Sequence, residues 1–228
     1  QNKIIKSVNL GLKDYNIVDA INKEINLPIK IRNDAKCAAL AENKYGALKK
    51  YNRILFMTLG TGIGGAVIIN GNLLETGEYP GCEFGHMVIK ENGLKCNCGR
   101  KGCFEKYGSM RAFKDNLRNE LGLEDKTSGK ELMAILKDTT KESKDYAKIE
   151  KVRKQYIRDL SVGIANLVNI FEPEAIGIGG SFVYFSEVLL QDVKKTILKE
   201  DMLFNPRKEI NIQTAVLGNE AGIIGATL

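Results

Sequence analysis

Residues 54–74 restrict the fold more than any other stretch of the chain. They read Ile54-Leu-Phe-Met-Thr-Leu59, then Gly60-Thr61-Gly62-Ile63-Gly64-Gly65, then Ala66-Val-Ile-Ile69, then Asn70-Gly71. An apolar run of strand length without alternation predicts a strand covered on both faces. The second run predicts another strand, and Asn-Gly is the dipeptide of a two-residue hairpin, so a third strand is expected at about 72–74. A sheet of this kind needs helices on its faces to hide it from water.

The rest of the chain supplies them. Residues 16–25 have helical spacing of apolar positions, and Ala35 to Tyr45 predicts a helix closed by Gly46. Between them, Pro28 precedes Ile29-Lys-Ile31, read as a short strand ending at Asn33-Asp34. Further helices are expected at about 109–121, 128–138 and 143–171, the last ending before Pro173. Ala175–Ile178 predicts a strand leading into Gly179-Gly180-Ser181, followed by a helix, a strand near 210–216 and a terminal helix from Asn219. The opening, Gln1-Asn-Lys-Ile-Ile-Lys, lacks an initiator Met and reads as a strand already under way. Hairpins followed by alternating helix and strand indicate a layered α/β class, without internal repeats or a low-complexity linker.

Composition narrows the function classes. Of 228 residues, 43% are hydrophobic and 27% charged, which argues against disorder. No apolar run approaches the roughly 20 residues of a membrane span, and the first residues do not resemble a signal peptide. The net charge of +6 is spread among mixed-sign segments such as 137–145, predicting solvated helical surfaces and no nucleic-acid contact. Five cysteines, an odd number gathered largely in one place, predict reduced thiols and a cytoplasmic location.

Three of those cysteines, Cys96, Cys98 and Cys103, follow the chain's one histidine, His86. The residue types are those of a tetrahedral zinc site, and the neighbouring glycines allow a tight wrap. A redox pair would use two thiols and leave the third unexplained. A nucleic-acid knuckle would need aromatic and basic interleaving that the segment lacks. Gly60-Thr61-Gly62 and Gly179-Gly180-Ser181 each follow a strand, where bare backbone N–H groups can approach an anion. Glycines also serve ordinary hairpins, and Asn33 or Asp34 can equally cap the helix that begins at Ala35.

Leu59-Gly-Thr-Gly-Ile-Gly-Gly-Ala66, Gly81-Cys-Glu83-Phe-Gly85-His86 and Cys96-Asn-Cys-Gly-Arg-Lys-Gly-Cys-Phe-Glu105 together resemble the signature of the ROK family of repressors and sugar kinases. The resemblance covers nearly the whole chain. It implies an actin-like ATPase (ribonuclease H-like) fold, with 1–50 the remnant of a small lobe carrying the Asn-Asp element. Residues 51–228 would form the large lobe, including a zinc-binding insertion at 81–108. It further implies that His86, Cys96, Cys98 and Cys103 hold a structural Zn2+. Asp34 would be the catalytic base, with Asn33, Asp34, Glu83, His86 and Glu105 holding sugar hydroxyls. Gly60, Thr61 and Gly62 would contact the phosphates of Mg2+-bound ATP, and Gly179, Gly180 and Ser181 would lie along the adenosine. Lys36 departs from the Asn usual in the family's Asn-Asp-Ala-Asn element.

The family's kinases also carry an Asp-x-Gly-Gly-Thr phosphate loop upstream, and the 32 residues before Asn33 contain none; Asn9-Leu-Gly11-Leu-Lys-Asp14 matches a later part of that lobe. The expectation is therefore a hexose kinase, acting at the 6-hydroxyl of glucose or an N-acetylhexosamine, of which this chain is an inactive fragment. The alternative is the sugar-sensing domain of a ROK-type repressor. A homodimer is implied by the resemblance alone.

Overall fold

The computed structural model describes residues 4–7, 11–75, 81–199 and 202–228. Gln1–Lys3, where the opening strand was expected to begin, and Asn9-Leu10 of the lobe motif lie outside the described residues. A short antiparallel ribbon opens the chain, β1 (Ile4–Ser7) with β2 (Leu12–Tyr15), followed by α1 (Ile17–Asn22). Ile29–Ile31 is not a strand. The segment after Pro28 is largely exposed, and no neighbouring strand pairs with it among the described residues; a strand exists only through a partner.

The main sheet has the order β5-β4-β3-β6-β7. Its members are β3 (Arg53–Leu59), β4 (Ile63–Ile69), β5 (Asn72–Leu73), β6 (Ala175–Gly179) and β7 (Ile212–Thr214). The first three form the antiparallel meander that Asn70-Gly71 foretold, whereas β6 joins β3, and β7 joins β6, in parallel. The strand β4 begins at Ile63, not Ala66. Gly64 and Gly65 pair with Thr58 and Met57, so the glycine turn shrinks to Gly60–Gly62.

Period-two alternation divides the core between the sheet's faces. On one side Ile54, Phe56, Ala66, Ile68 and Ala175 pack with Ala39 and Leu48. There α2 (Asp34–Lys44) lies against the sheet and against α8 (Ala221–Ala226), so residues 34–50 pack directly on the 51–228 sheet. On the other side Leu55, Met57, Leu59 and Val67 meet the larger core, built by α4 (Met110–Leu121), α5 (Gly129–Asp138), α6 (Tyr146–Phe171) and α7 (Ser186–Lys199). Between sheet and α4 run residues 81–108, which contain a 3₁₀ turn at Phe84–His86 and the short α3 (Glu105–Gly108). The long α6 stops at Glu172 in the left-handed region (φ 45°), ahead of Pro173.

Candidate active site and metal-ligand cluster

The C-terminal ends of the parallel neighbours β3 and β6 lie side by side, Thr58 paired with Gly179. In open α/β sheets this edge is where ligands bind. Both glycine segments are there. Gly60 N–H donates to Gly62 O at 3.0 Å, closing a tight turn whose middle residue, Thr61, is exposed. Gly180 has φ 73° and passes so close to Leu59 that a Cβ would sit 2.6 Å from its carbonyl oxygen, so only glycine fits. The hydroxyl of Ser181 reaches the same carbonyl at 3.5 Å. A 3₁₀ turn (Gly180–Phe185) precedes α7, so the helix does not start directly after Ser181 as the sequence suggested.

The start of α2 borders this turn: Ala35 Cβ is 3.0 Å from where a side chain on Gly64 would begin. Asn33 caps the helix, its Oδ1 accepting from Lys36 N–H at 3.2 Å, and Asp34 Oδ1 accepts from Ala35 N–H at 2.8 Å. The capping role and a chemical role are compatible, because the carboxylate remains exposed at a helix start, where negative charge is stabilised. Lys36 is only 4% exposed, and its charge reaches Cys82, opposing the burial that pushes that thiol up. The first turn of α2 therefore faces the segment holding Glu83, which is exposed just before the 3₁₀ turn of His86.

Glu105 connects the cysteine loop to the glycine turn. Its Oε2 accepts from Ile63 N–H at 3.1 Å and fills the space a side chain on Gly62 would need. Arg111 N–H, in the first turn of α4, donates to Gly60 O at 3.0 Å, and Ser109 caps that helix. These tethers hold the turn from the side opposite α2. Sequence reasoning did not find Ser109 and Arg111; the one available signal was a serine ahead of an amphipathic run.

His86, Cys96, Cys98 and Cys103 converge. One donor atom from each lies within 4.8 Å of all the others. Cys96 Sγ is 3.7 Å from His86 Nδ1, and Cys98 Sγ is 3.6 Å from Cys103 Sγ. A tetrahedral ion with metal–sulfur bonds of about 2.3 Å has edges of roughly 3.8 Å, so the spacing and the donor set fit zinc. Hydrogen bonds from Arg100, first its backbone and then its side chain, lower the Cys98 thiol to about 6, while burial raises Cys103 to about 12. The Arg100 guanidinium also donates to His86 O at 2.8 Å, tying histidine and cysteine segments together. Lys90 fastens the loop to α6: its ammonium lies 2.7 and 2.8 Å from the oxygens of Asp159 and 4.5 Å from the centre of the Tyr107 ring.

A family model described as ROK family matches residues 1–228. The chain is 33% identical over 234 residues to a glucokinase of Halalkalibacterium halodurans, covering 97% of this chain and 69% of that one. A glucokinase of Streptomyces coelicolor is 30% identical over 230 residues, covering 96% and 72%. A xylose repressor of Bacillus subtilis is 29% identical over 195 residues, covering 86% of this chain and 48% of the repressor. Among solved structures, a ROK family glucokinase from Streptomyces griseus in complex with glucose and AMPPNP superposes with a TM-score of 0.84 at 27% identity, covering 98% of this chain and 75% of that one.

Proposed function

The chain belongs to the ROK family and has the actin-like α/β fold of its sugar kinases; from that premise we propose that it is the greater part of an ATP-dependent hexose kinase. The observation that carries the reading is the convergence of Asp34, Glu105 and both glycine segments on one edge of the sheet. In this reading Asp34 takes the proton of the sugar 6-hydroxyl as that oxygen attacks the γ-phosphorus, whose bond to the β–γ bridging oxygen breaks to release ADP. Positioning and charge stabilisation supply most of the acceleration in phosphoryl transfer, so the base need only be well placed. The turn at Gly60, Thr61 and Gly62 receives the phosphates of Mg2+-bound ATP, and Gly179, Gly180 and Ser181 receive the adenosine. Asn33, Glu83, His86 and Glu105 accept or donate hydrogen bonds to sugar hydroxyls, and a sugar lacking one of these leaves a polar group unpaired.

Zn2+ is proposed at His86, Cys96, Cys98 and Cys103, where it supplies structural cross-linking. With Nδ1 committed to the cluster, His86 keeps Nε2 for a hydroxyl, so loop shape and sugar recognition are one property. Because α2 packs on the main sheet, we place the junction between lobes ahead of Asp34 and not at residue 50. A cytoplasmic homodimer without nucleic-acid contacts from this chain completes the proposal. No helix among the described residues is long and apolar enough to cross a membrane.

Similarity to xylose repressors supports a second reading, the effector domain of a sugar-responsive regulator. A coupled assay of ADP release with the full-length protein, across glucose, N-acetylglucosamine, N-acetylmannosamine, fructose and allose, separates the two. Turnover with one hexose that vanishes in Asp34→Asn supports the kinase. Sugar binding without turnover by the full-length protein rejects it in favour of the regulator.

A further inference from the structure

A buried carboxylate with no part in the proposed chemistry ties two sides of the site together. Glu42, in the last turn of α2, is completely buried. Its Oε1 accepts from Val216 N–H and Leu217 N–H, both at 2.8 Å, and its Oε2 accepts from Ala47 N–H at 2.9 Å. Gly46 makes room, since a Cβ there would run into Oε2. A carboxylate taken fully out of water is costly unless hydrogen bonds replace the lost hydration, and three backbone donors do so here.

The two ends of this clasp are informative. Asn33 and Asp34 begin the same helix whose last turn holds Glu42. Val216 and Leu217 follow β7, next to Ala215, which donates to Ile178 O at 2.9 Å and whose Cβ lies 3.4 Å from where a side chain on Gly179 would start. Glu42 therefore fastens the helix of the proposed base to the loop flanking the proposed adenosine segment. The helix α8, which follows that loop, presses on α2 so closely that a Cβ on Gly225 would meet the carbonyl of Cys37.

We propose that Glu42 is a positioning residue that couples the nucleotide side of the site to the sugar side. The inference rests on the sugar-kinase reading. Nucleotide beside Gly179 and Gly180 orders the 215–217 loop; the clasp passes that order along α2 to Asn33 and Asp34, and sugar bound there does the reverse. An apolar residue of equal size would fill the space without fixing the three N–H groups.

The test is binding linkage, measured by calorimetry on the full-length protein with glucose, then N-acetylmannosamine, each titrated with and without AMPPNP. In the wild type each ligand is expected to tighten the other by about fivefold or more; in Glu42→Gln, where an amide donor must face a backbone donor, the effect falls to within about twofold. Gly46→Ala, which displaces the carboxylate without removing it, should give a partial loss and serves where Glu42→Gln does not fold. Leu132→Ala, a cavity in the other core, controls for instability and should leave the linkage intact. Linkage unchanged in both clasp variants, absent in the wild type, or lost equally in Leu132→Ala overturns the inference and leaves the kinase reading standing. A wild type that binds neither sugar nor nucleotide sinks both.

Discussion

The carboxylate of Glu105 and the backbone N–H of Ile63 are 3.1 Å apart, so the end of the cysteine loop is bonded to the start of β4 beside the glycine turn. Removing the acceptor strands a part-buried donor, which costs about 1–3 kcal/mol. Glu105→Ala is therefore expected to lose that much stability in urea unfolding, while Glu105→Gln, which keeps an acceptor oxygen, loses less than about 1 kcal/mol. Both variants should weaken hexose binding, because both remove the negative charge offered to hydroxyls. A Glu105→Gln protein with wild-type sugar affinity would contradict the proposed contact.

The four converging donors predict one zinc per chain by atomic emission. Cys96→Ser and Cys103→Ser, at 2% and 0% exposure, should abolish it, whereas Cys37→Ser, outside the cluster, should leave metal content unchanged. Chelation is expected to lower the melting temperature by at least about 2 °C, since each 1 kcal/mol lost corresponds to roughly 2–4 °C in a domain of this size. Hexose affinity should fall with zinc content if His86 serves both metal and sugar. Full sugar affinity in the metal-free protein would separate the two roles.

Much of this arrangement is legible in the residues themselves, for a physical reason. Strands β3 and β4 announce themselves because burial on both faces demands largely apolar runs, and β5 follows because Asn70-Gly71 demands a hairpin. The helices show through apolar spacing and their stops. The cysteine cluster is legible because few residue types bind metal and they stand close in sequence. What stays hidden depends on partners far along the chain. Ile29–Ile31 looks like a strand yet finds no partner among the described residues, and Gly64-Gly65 look like loop yet pair with Thr58 and Met57. Glu42 reads as an ordinary surface acid of an alanine-rich helix; its donors at Val216 and Leu217 lie 174 and 175 residues away. The Lys90–Asp159 pair, 69 residues apart, is invisible for the same reason.

That pair gives a quantitative expectation. The side chain of Asp159 is 9% exposed and that of Lys90 37%, so the bridge is half wet. Losing one partner of a buried pair costs about 3–5 kcal/mol, and solvent at Lys90 reduces this. Asp159 also accepts from the Gln155 amide at 3.0 Å, a bond that survives the loss of the lysine. Lys90→Met is therefore expected to cost about 1–3 kcal/mol. Lys90→Met with Asp159→Leu should recover most of the loss. A double-mutant cycle in urea checks this, and additive single losses would show that the two side chains are not coupled.

Two glycine-to-alanine changes inside helices should have opposite signs. Alanine is favoured over glycine in a helix interior by about 1 kcal/mol. At Gly222 in α8 nothing lies within 4 Å of the added Cβ, so Gly222→Ala is expected to stabilise by up to that amount. At Gly163 in α6 the added Cβ enters the ring of Phe104, which is completely buried and cannot swing into solvent. Overpacking costs typically about 1–3 kcal/mol, which outweighs the helix gain, so Gly163→Ala should destabilise by up to about 2 kcal/mol. Phe104 stands between Cys103 and Glu105, so displacing it should also speed zinc loss to a chelator followed with a colorimetric dye. A Gly163→Ala protein as stable as the wild type, with unchanged zinc release, would show that the Phe104 ring yields freely and does not brace the loop.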